Sequence, residues 1–357
     1  MISTSFWAGR RVLLTGHTGF KGSWLAFCLD RLGAEVFGFA LTPETQPNLF
    51  TVLPRSQRLT SWIGDIQDEK ALADAVETAR PSIVIHMAAQ ALVRRSYRAP
   101  CDTVQANVTG TVNLLEALRG NDAVMAELDA ILVVTTDKVY RNAESGQPFQ
   151  ENSPLGGHDP YSASKAAAEI LTESWARSFF TPAGVPVATA RAGNVVGGGD
   201  WSEDRLIPDL WRAVKAGETA VLRNPAATRP WQLVLEPLYG YLGYIEALTG
   251  PRGSKLPRAL NFGPAAGDIL TVSEASDIVL TGLGSKRGWA LAEGAQPHEA
   301  AQLALDAGLA ERTLGWRAKL DSREALRWST EWYRAFDAGR DMANITSEQI
   351  DRYEALT

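Results

Sequence analysis

Three glycines at a spacing of three constrain this chain more than any other feature. The run Thr15-Gly16-His17-Thr18-Gly19-Phe20-Lys21-Gly22 follows a short apolar segment, residues 11–15, and opens a stretch with helical periodicity, residues 21–32. A strand, a glycine turn and a helix in that order make a cradle for a pyrophosphate. Gly16 allows the tight turn, Gly19 lets backbone N–H groups approach phosphate without an intervening side chain, and Gly22 lets the helix lie close on the strand. Glycine also ends strands for structural reasons alone, so the flanking elements carry the inference.

The alternation continues. Apolar runs at 11–15, 34–41, 59–66, 82–87, 130–136 and 185–191 are short and bounded by Gly, Pro or Asp, and helical patterns fill 21–32, 68–79, 101–118 and 161–179 between them. Strands that alternate with helices predict an α/β fold, a doubly wound parallel sheet of the Rossmann type. Beyond residue 191 the pattern loosens. Gly197, Gly198, Gly199 and Asp200 read as a flexible bend, 259–263 as a strand, and 273–283 and 322–337 as helices. We therefore expect a dinucleotide-binding domain over 1–193, to which later segments return, and a smaller C-terminal substrate-binding lobe over 194–357.

A net charge of −6 over 357 residues gives no general attraction to a polyanion, so no nucleic-acid partner is expected. No segment has the length of a membrane span, and the polar N-terminus lacks the apolar core of a signal peptide, which predicts a cytoplasmic protein. Cys28 and Cys101 read as buried free thiols. The four histidines, His17, His86, His158 and His298, show no metal-ligand spacing, and no metal is expected.

Other residues suggest chemistry. Asp65, before Ile66, is placed either to meet an adenine edge or to cap the next helix, and His86-Met87-Ala88-Ala89-Gln90 ends a strand with small residues that would let a cofactor lie against the backbone. The second strand ends at Ala40-Leu41 with neither an acid for ribose hydroxyls nor an arginine for a 2′-phosphate, leaving NAD and NADP undecided there. Tyr161 and Lys165 stand four apart on one helix face, where an ammonium would lower the pKa of a phenol acting as base. Thr136-Asp137-Lys138 ends the fifth strand with a hydroxyl, an acid and an amine, more than a simple dehydrogenation or epimerisation needs.

Together the glycine fingerprint, Thr136-Asp137-Lys138 and Tyr161-x-x-x-Lys165 resemble the extended short-chain dehydrogenase/reductase family over nearly the whole chain. The segments 16–25, 47–50, 88–94, 191–201 and Arg229-Pro230-Trp231-Gln232 are most similar to its members that dehydrate CDP-glucose at C4 and C6. Dehydratases acting on dTDP-glucose usually carry Asp-Glu where this chain has Asp137-Lys138.

The resemblance implies a lyase with NAD as recycled cofactor, held by residues 16–22, Asp65, Ile66, Ala88, Ala89, Gln90, Tyr161 and Lys165. CDP-glucose would be oxidised at C4 with Tyr161 as base, Lys165 lowering its pKa and Thr136 assisting. Lys138 would then take the C5 proton and Asp137 would protonate the leaving C6 hydroxyl, giving CDP-4-keto-6-deoxyglucose. Gln90, Arg94, Asn194, Arg205 and Arg229 are the implied substrate ligands, the last two being readable also as surface ion pairs. After Gln232, where members tend to have histidine, this chain has Leu233. Relatives pair through helices 101–118 and 161–179, which implies a homodimer or homotetramer. The alternatives are another sugar-nucleotide dehydratase or an epimerase, and a non-catalytic dinucleotide sensor.

Overall fold

The computed structural model describes residues 2–54, 56–142, 146–294 and 303–356; His298 lies outside them. Its centre is a seven-stranded sheet: β1 (Arg11–Thr15), β2 (Glu35–Ala40), β3 (Leu59–Ile63), β4 (Ile83–His86), β5 (Ala130–Val134), β6 (Val187–Ala192) and β7 (Ala259–Phe262). The order is β7-β6-β5-β4-β1-β2-β3, and every pairing is parallel. Side chains alternate across such a sheet, so each strand must feed two apolar layers. Val12 and Leu14 of β1, with Ile83, Ile85 and Leu132, face one core; Leu13, Val84, Ile131 and Val133 face the other.

Helices cover both faces. On one side lie α1 (Phe20–Arg31) and α6 (Leu235–Leu248); on the other lie α2 (Glu69–Ala79) and α3 (Gly110–Arg119). The catalytic-motif helix α4 (Pro160–Trp175) begins with Pro160 after Asp159, whose carboxylate accepts from the Ser162 N–H at 2.9 Å, a residue pair suited to a helix start. Asp68, not Asp65, caps α2. The predicted helix 101–118 is interrupted: Pro100–Val104 runs through a π-helical turn, Gln105–Thr109, into α3.

Residues 259–262, read as a strand, join the central sheet as β7 beside β6. Two expectations change. Cys101 is exposed, because its position in the first turn of Pro100–Val104 faces away from the side that buries Thr103; Cys28 is buried. The bend at 197–200 is clamped rather than flexible. The Gly198 carbonyl accepts from Trp24 Nε1 at 2.9 Å, and Trp201 packs among Trp211, Trp332, Tyr333 and Phe336. These aromatics come from α5 (Leu206–Ala216) and α8 (Ser322–Asp337), while α7 (Val272–Gly282) packs on both.

A Cβ at Gly198 would stand 2.0 Å from the Trp332 ring, which is fully buried and stacked on Phe336. We expect Gly198→Ala to destabilise the fold by about 3 kcal/mol, read as a lower urea midpoint with an unchanged slope.

Candidate active site

The parallel strands all end on one edge, and there, where β1 and β4 part, a cleft of about 1450 Å³ opens at the position where such sheets bind ligands. Gly16 sits at φ +77°, and a Cβ on it would lie 2.7 Å from the Ala88 nitrogen; one on Gly22 would lie 2.0 Å from the Gly16 carbonyl oxygen. No other residue fits either place. Gly16, Thr18, Gly19, Phe20, Lys21 and Gly22 line the cleft, as do Asp65, Ile66, Ala88, Ala89 and Gln90. His17 does not. Its fully buried ring lies over Gly38 and against Phe50, and Nε2 meets the Ser61 hydroxyl at 2.7 Å, so its side chain braces the loop from behind.

The end of β4 is fixed by hydrogen bonds. Thr15 Oγ1 accepts from the Met87 and Ala88 N–H groups, both at 3.1 Å, and meets His86 Nδ1 at 2.7 Å. Burial pushes His86 down to about 3, so the ring is neutral. Asn107, which sequence reasoning missed, lies in the π-helical turn, where its Oδ1 accepts from Gln90 N at 2.8 Å and its Nδ2 donates to Gln90 O and Ser164 Oγ. It thereby ties the cofactor wall to α4. Gln90 is spent on the same loop: its amide donates to Leu92 O and Thr103 Oγ1 and accepts from Leu92 N. That leaves no amide hydrogen for a substrate, contrary to the expected ligand role.

Tyr161, Lys165, Thr136 and Lys138 meet in the cleft. Burial outweighs the nearby Arg205 and Thr136 and pushes the Tyr161 phenol up to about 12. Lys165 does not offset it here, because Nζ donates to the Val134 carbonyl at 2.9 Å and burial lowers its pKa to about 8. Lys21 Nζ donates to Tyr241 Oη at 3.0 Å. Burial, Lys165 and Arg205 bring Lys21 down to about 7. Asp137 is completely buried behind Thr136 and Lys138, with Oδ1 2.9 Å from Thr136 Oγ1 and 3.2 Å from Lys138 Nζ. Its other oxygen, Oδ2, lies beside Gly193, which lines the cleft.

A second cavity of about 520 Å³ continues from the first; Lys138, Asn194 and Arg205 line both. Arg94 and Arg229 line the second. Arg205 precedes α5 and donates to Ala91 O at 2.9 Å; Arg94 stands 3.7 Å from Asp204, which Arg223 contacts at 2.8 Å. Leu233 is fully buried in the core and lines neither cavity.

Residues 13–245 match the sequence profile of the GDP-mannose 4,6-dehydratase family. The chain belongs to that family. As a GDP-mannose 4,6-dehydratase family member it is 42% identical, over all of its length and 99% of the relative's, to the CDP-glucose 4,6-dehydratase of Salmonella typhimurium. The dTDP-glucose 4,6-dehydratase DesIV of Streptomyces venezuelae, solved with NAD bound, is 26% identical and superposes with a TM-score of 0.78 over 93% of this chain and 99% of that one. An epimerase of Methanothermobacter thermautotrophicus at 21% identity and TM-score 0.81, covering 94% and 95%, shares the fold.

The residues present fit a dinucleotide: a glycine cradle that side chains would fill, and cations that burial holds below their usual pKa. An anion beside Lys21 and Lys165 stabilises their charged forms, so both bind best when protonated. We expect the dissociation constant of NAD to rise about tenfold or more between pH 6.5 and pH 9, measured by protein fluorescence, with Lys21→Met removing the lower-pH part of the rise and leaving the part due to Lys165.

Proposed function

We propose that this chain is a CDP-glucose 4,6-dehydratase, a lyase that converts CDP-D-glucose to CDP-4-keto-6-deoxy-D-glucose and water. The observation that carries the reading is the convergence of Tyr161, Lys165, Thr136 and Lys138 on one cleft beside the glycine loop. Support comes from the end-to-end likeness to a CDP-glucose 4,6-dehydratase. NAD, when bound along the glycine loop, Asp65, Ile66, Ala88 and Ala89, supplies a hydride acceptor and donor. The second cavity, with Arg94, Arg205 and Arg229, is proposed for the nucleoside diphosphate, since guanidinium groups match phosphate oxygens.

The protein's own residues handle protons. Tyr161 takes the C4 hydroxyl proton while Thr136 holds that oxygen. Once C4 is a ketone the C5 hydrogen is acidic. Lys138, which faces the cleft, removes it, and the Asp137–Lys138 pair returns one proton to the departing C6 hydroxyl, so the pair ends at its starting charge; the proton that Tyr161 took balances the one that C5 regains when hydride is returned to C6. Because Asp137 is covered, the proton reaches the hydroxyl through Lys138 or Thr136. An epimerase needs no acid for a leaving hydroxyl, and the buried pair would then serve no purpose.

Purified protein should convert CDP-glucose to a product that absorbs near-ultraviolet light in alkali; inactivity with CDP-glucose beside activity with another sugar nucleotide would reject the substrate. Tyr161→Phe should lower turnover by at least about a hundredfold. Lys138→Ala should still bind CDP-glucose but leave the C5 hydrogen unexchanged in heavy water.

The proposal includes a homodimer or homotetramer acting in the cytoplasm. Val104, Ile170 and Phe179 are exposed on the helical segments 100–119 and 160–180, and no helix among the described residues is long and apolar enough to cross a membrane. Ile170→Asp should shift the protein toward monomer in sedimentation velocity, whereas a monomeric parent protein would refute the assembly.

A further inference from the structure

A pair of residues outside the cleft controls how its reacting groups are held. Tyr161, Lys165 and Glu169 follow one another at intervals of four on α4 and so share a face. That face meets the end of β5. Lys165 donates to the Val134 carbonyl at 2.9 Å and Glu169 Oε1 accepts from the Thr135 hydroxyl, while Tyr161 lines the cleft with Thr136. Glu169 is in turn held by Arg191 of β6, whose Nε lies 2.8 and 2.9 Å from the two carboxylate oxygens and whose Nη2 bonds Oε2. Both side chains are almost wholly buried. The remaining guanidinium nitrogen donates to Tyr140 Oη at 2.7 Å and to Glu151 O at 3.0 Å, and Tyr140 donates to Asn261 of β7 at 2.7 Å.

A bidentate ion pair in the core is an expensive way to pack a helix, since apolar residues of equal volume often do as well or better. This one sits one residue from Thr136 and four from Lys165, and its arginine lies on β6 three residues before Asn194. We propose that Glu169, paired with Arg191, is a positioning residue for the reaction: it sets the Tyr161–Lys165 face against the end of β5 and supplies the negative charge that balances Lys165. The role in turnover rests on the dehydratase reading; the balance of charge does not.

The charged and titratable groups around Lys165 are Lys21 of α1, His86 of β4, Asp137 and Lys138 at the end of β5, Arg205 of the lobe, and Tyr161 and Glu169 of its own helix. Glu169 is the group that raises Lys165 against burial. Lys165 is charged below its pKa, so removing Glu169 should move the loss of that charge to lower pH.

The test measures kcat/KM for CDP-glucose against pH, which reports the free enzyme, in the parent, Glu169→Gln and Glu169→Asp. Glutamine should move the alkaline limb down by about one pH unit, and aspartate should slow turnover while leaving the limb in place. In a Lys21→Met background the alkaline midpoint for NAD binding should move in the same way. That arm decides the proposal even if CDP-glucose proves not to be the substrate. Should Glu169→Gln fail to fold with Arg191 left unpaired, the double variant Glu169→Gln/Arg191→Gln carries the same expectation. A limb that stays put with glutamine, or moves equally with aspartate, would overturn the proposal.

Discussion

The close approach between the β1 turn and the end of β4 governs the rest of this molecule. A methyl group at Gly16 would collide with the Ala88 backbone, and Thr15 Oγ1 holds the two N–H groups on either side of that contact. The approach opens a floor for a dinucleotide with no side chain in the way. Because the seven strands run parallel through crossover connections, Thr136, Asn194 and the start of α4 arrive on the same edge. Substituting either glycine would therefore close the cradle and misplace the reacting groups together.

Charge is the second organising constraint. Lys21, Lys165 and Arg205 converge on one cleft, and two of them carry depressed pKa values because burial disfavours the charged form. Arg191 is ion-paired: Glu169 holds it well above its ordinary value despite burial. The core thus sets one ion pair, which fixes the scaffold, behind cations that face the cleft. An anionic ligand completes that second set, which couples binding to protonation without any moving part.

The lobe is joined to the sheet domain by packing rather than by a hinge. Trp24 of α1 reaches the Gly198 carbonyl, and Trp201 is enclosed by aromatics of α5 and α8 in the same apolar cluster as β1 and α6. Gly198, which read as part of a loose bend, is small because Trp332 needs the room, and Gly199 because Leu49 does. Burial of this kind leaves no periodic trace, since Trp24, Leu49 and Trp332 lie more than a hundred residues from the bend.

Much was legible in the chain itself. The pattern of apolar runs located all seven strands and the main helices, and the spacing of Gly16, Gly19 and Gly22 located the cleft, because local sterics and side-chain direction are properties of short segments. So too was the company kept by Tyr161, Lys165 and Thr136-Asp137-Lys138. What depended on distant neighbours was not legible: the commitment of the Gln90 amide to its own loop, the turning of His17 away from the cleft, the burial of Asp137, and Asn107 and Glu169 as braces of α4. Sequence alone determined the fold class and which groups could react; only the tertiary structure decided which of them reach the cleft and what charge each carries, because burial and hydrogen-bond competition are set by residues the chain brings together from afar.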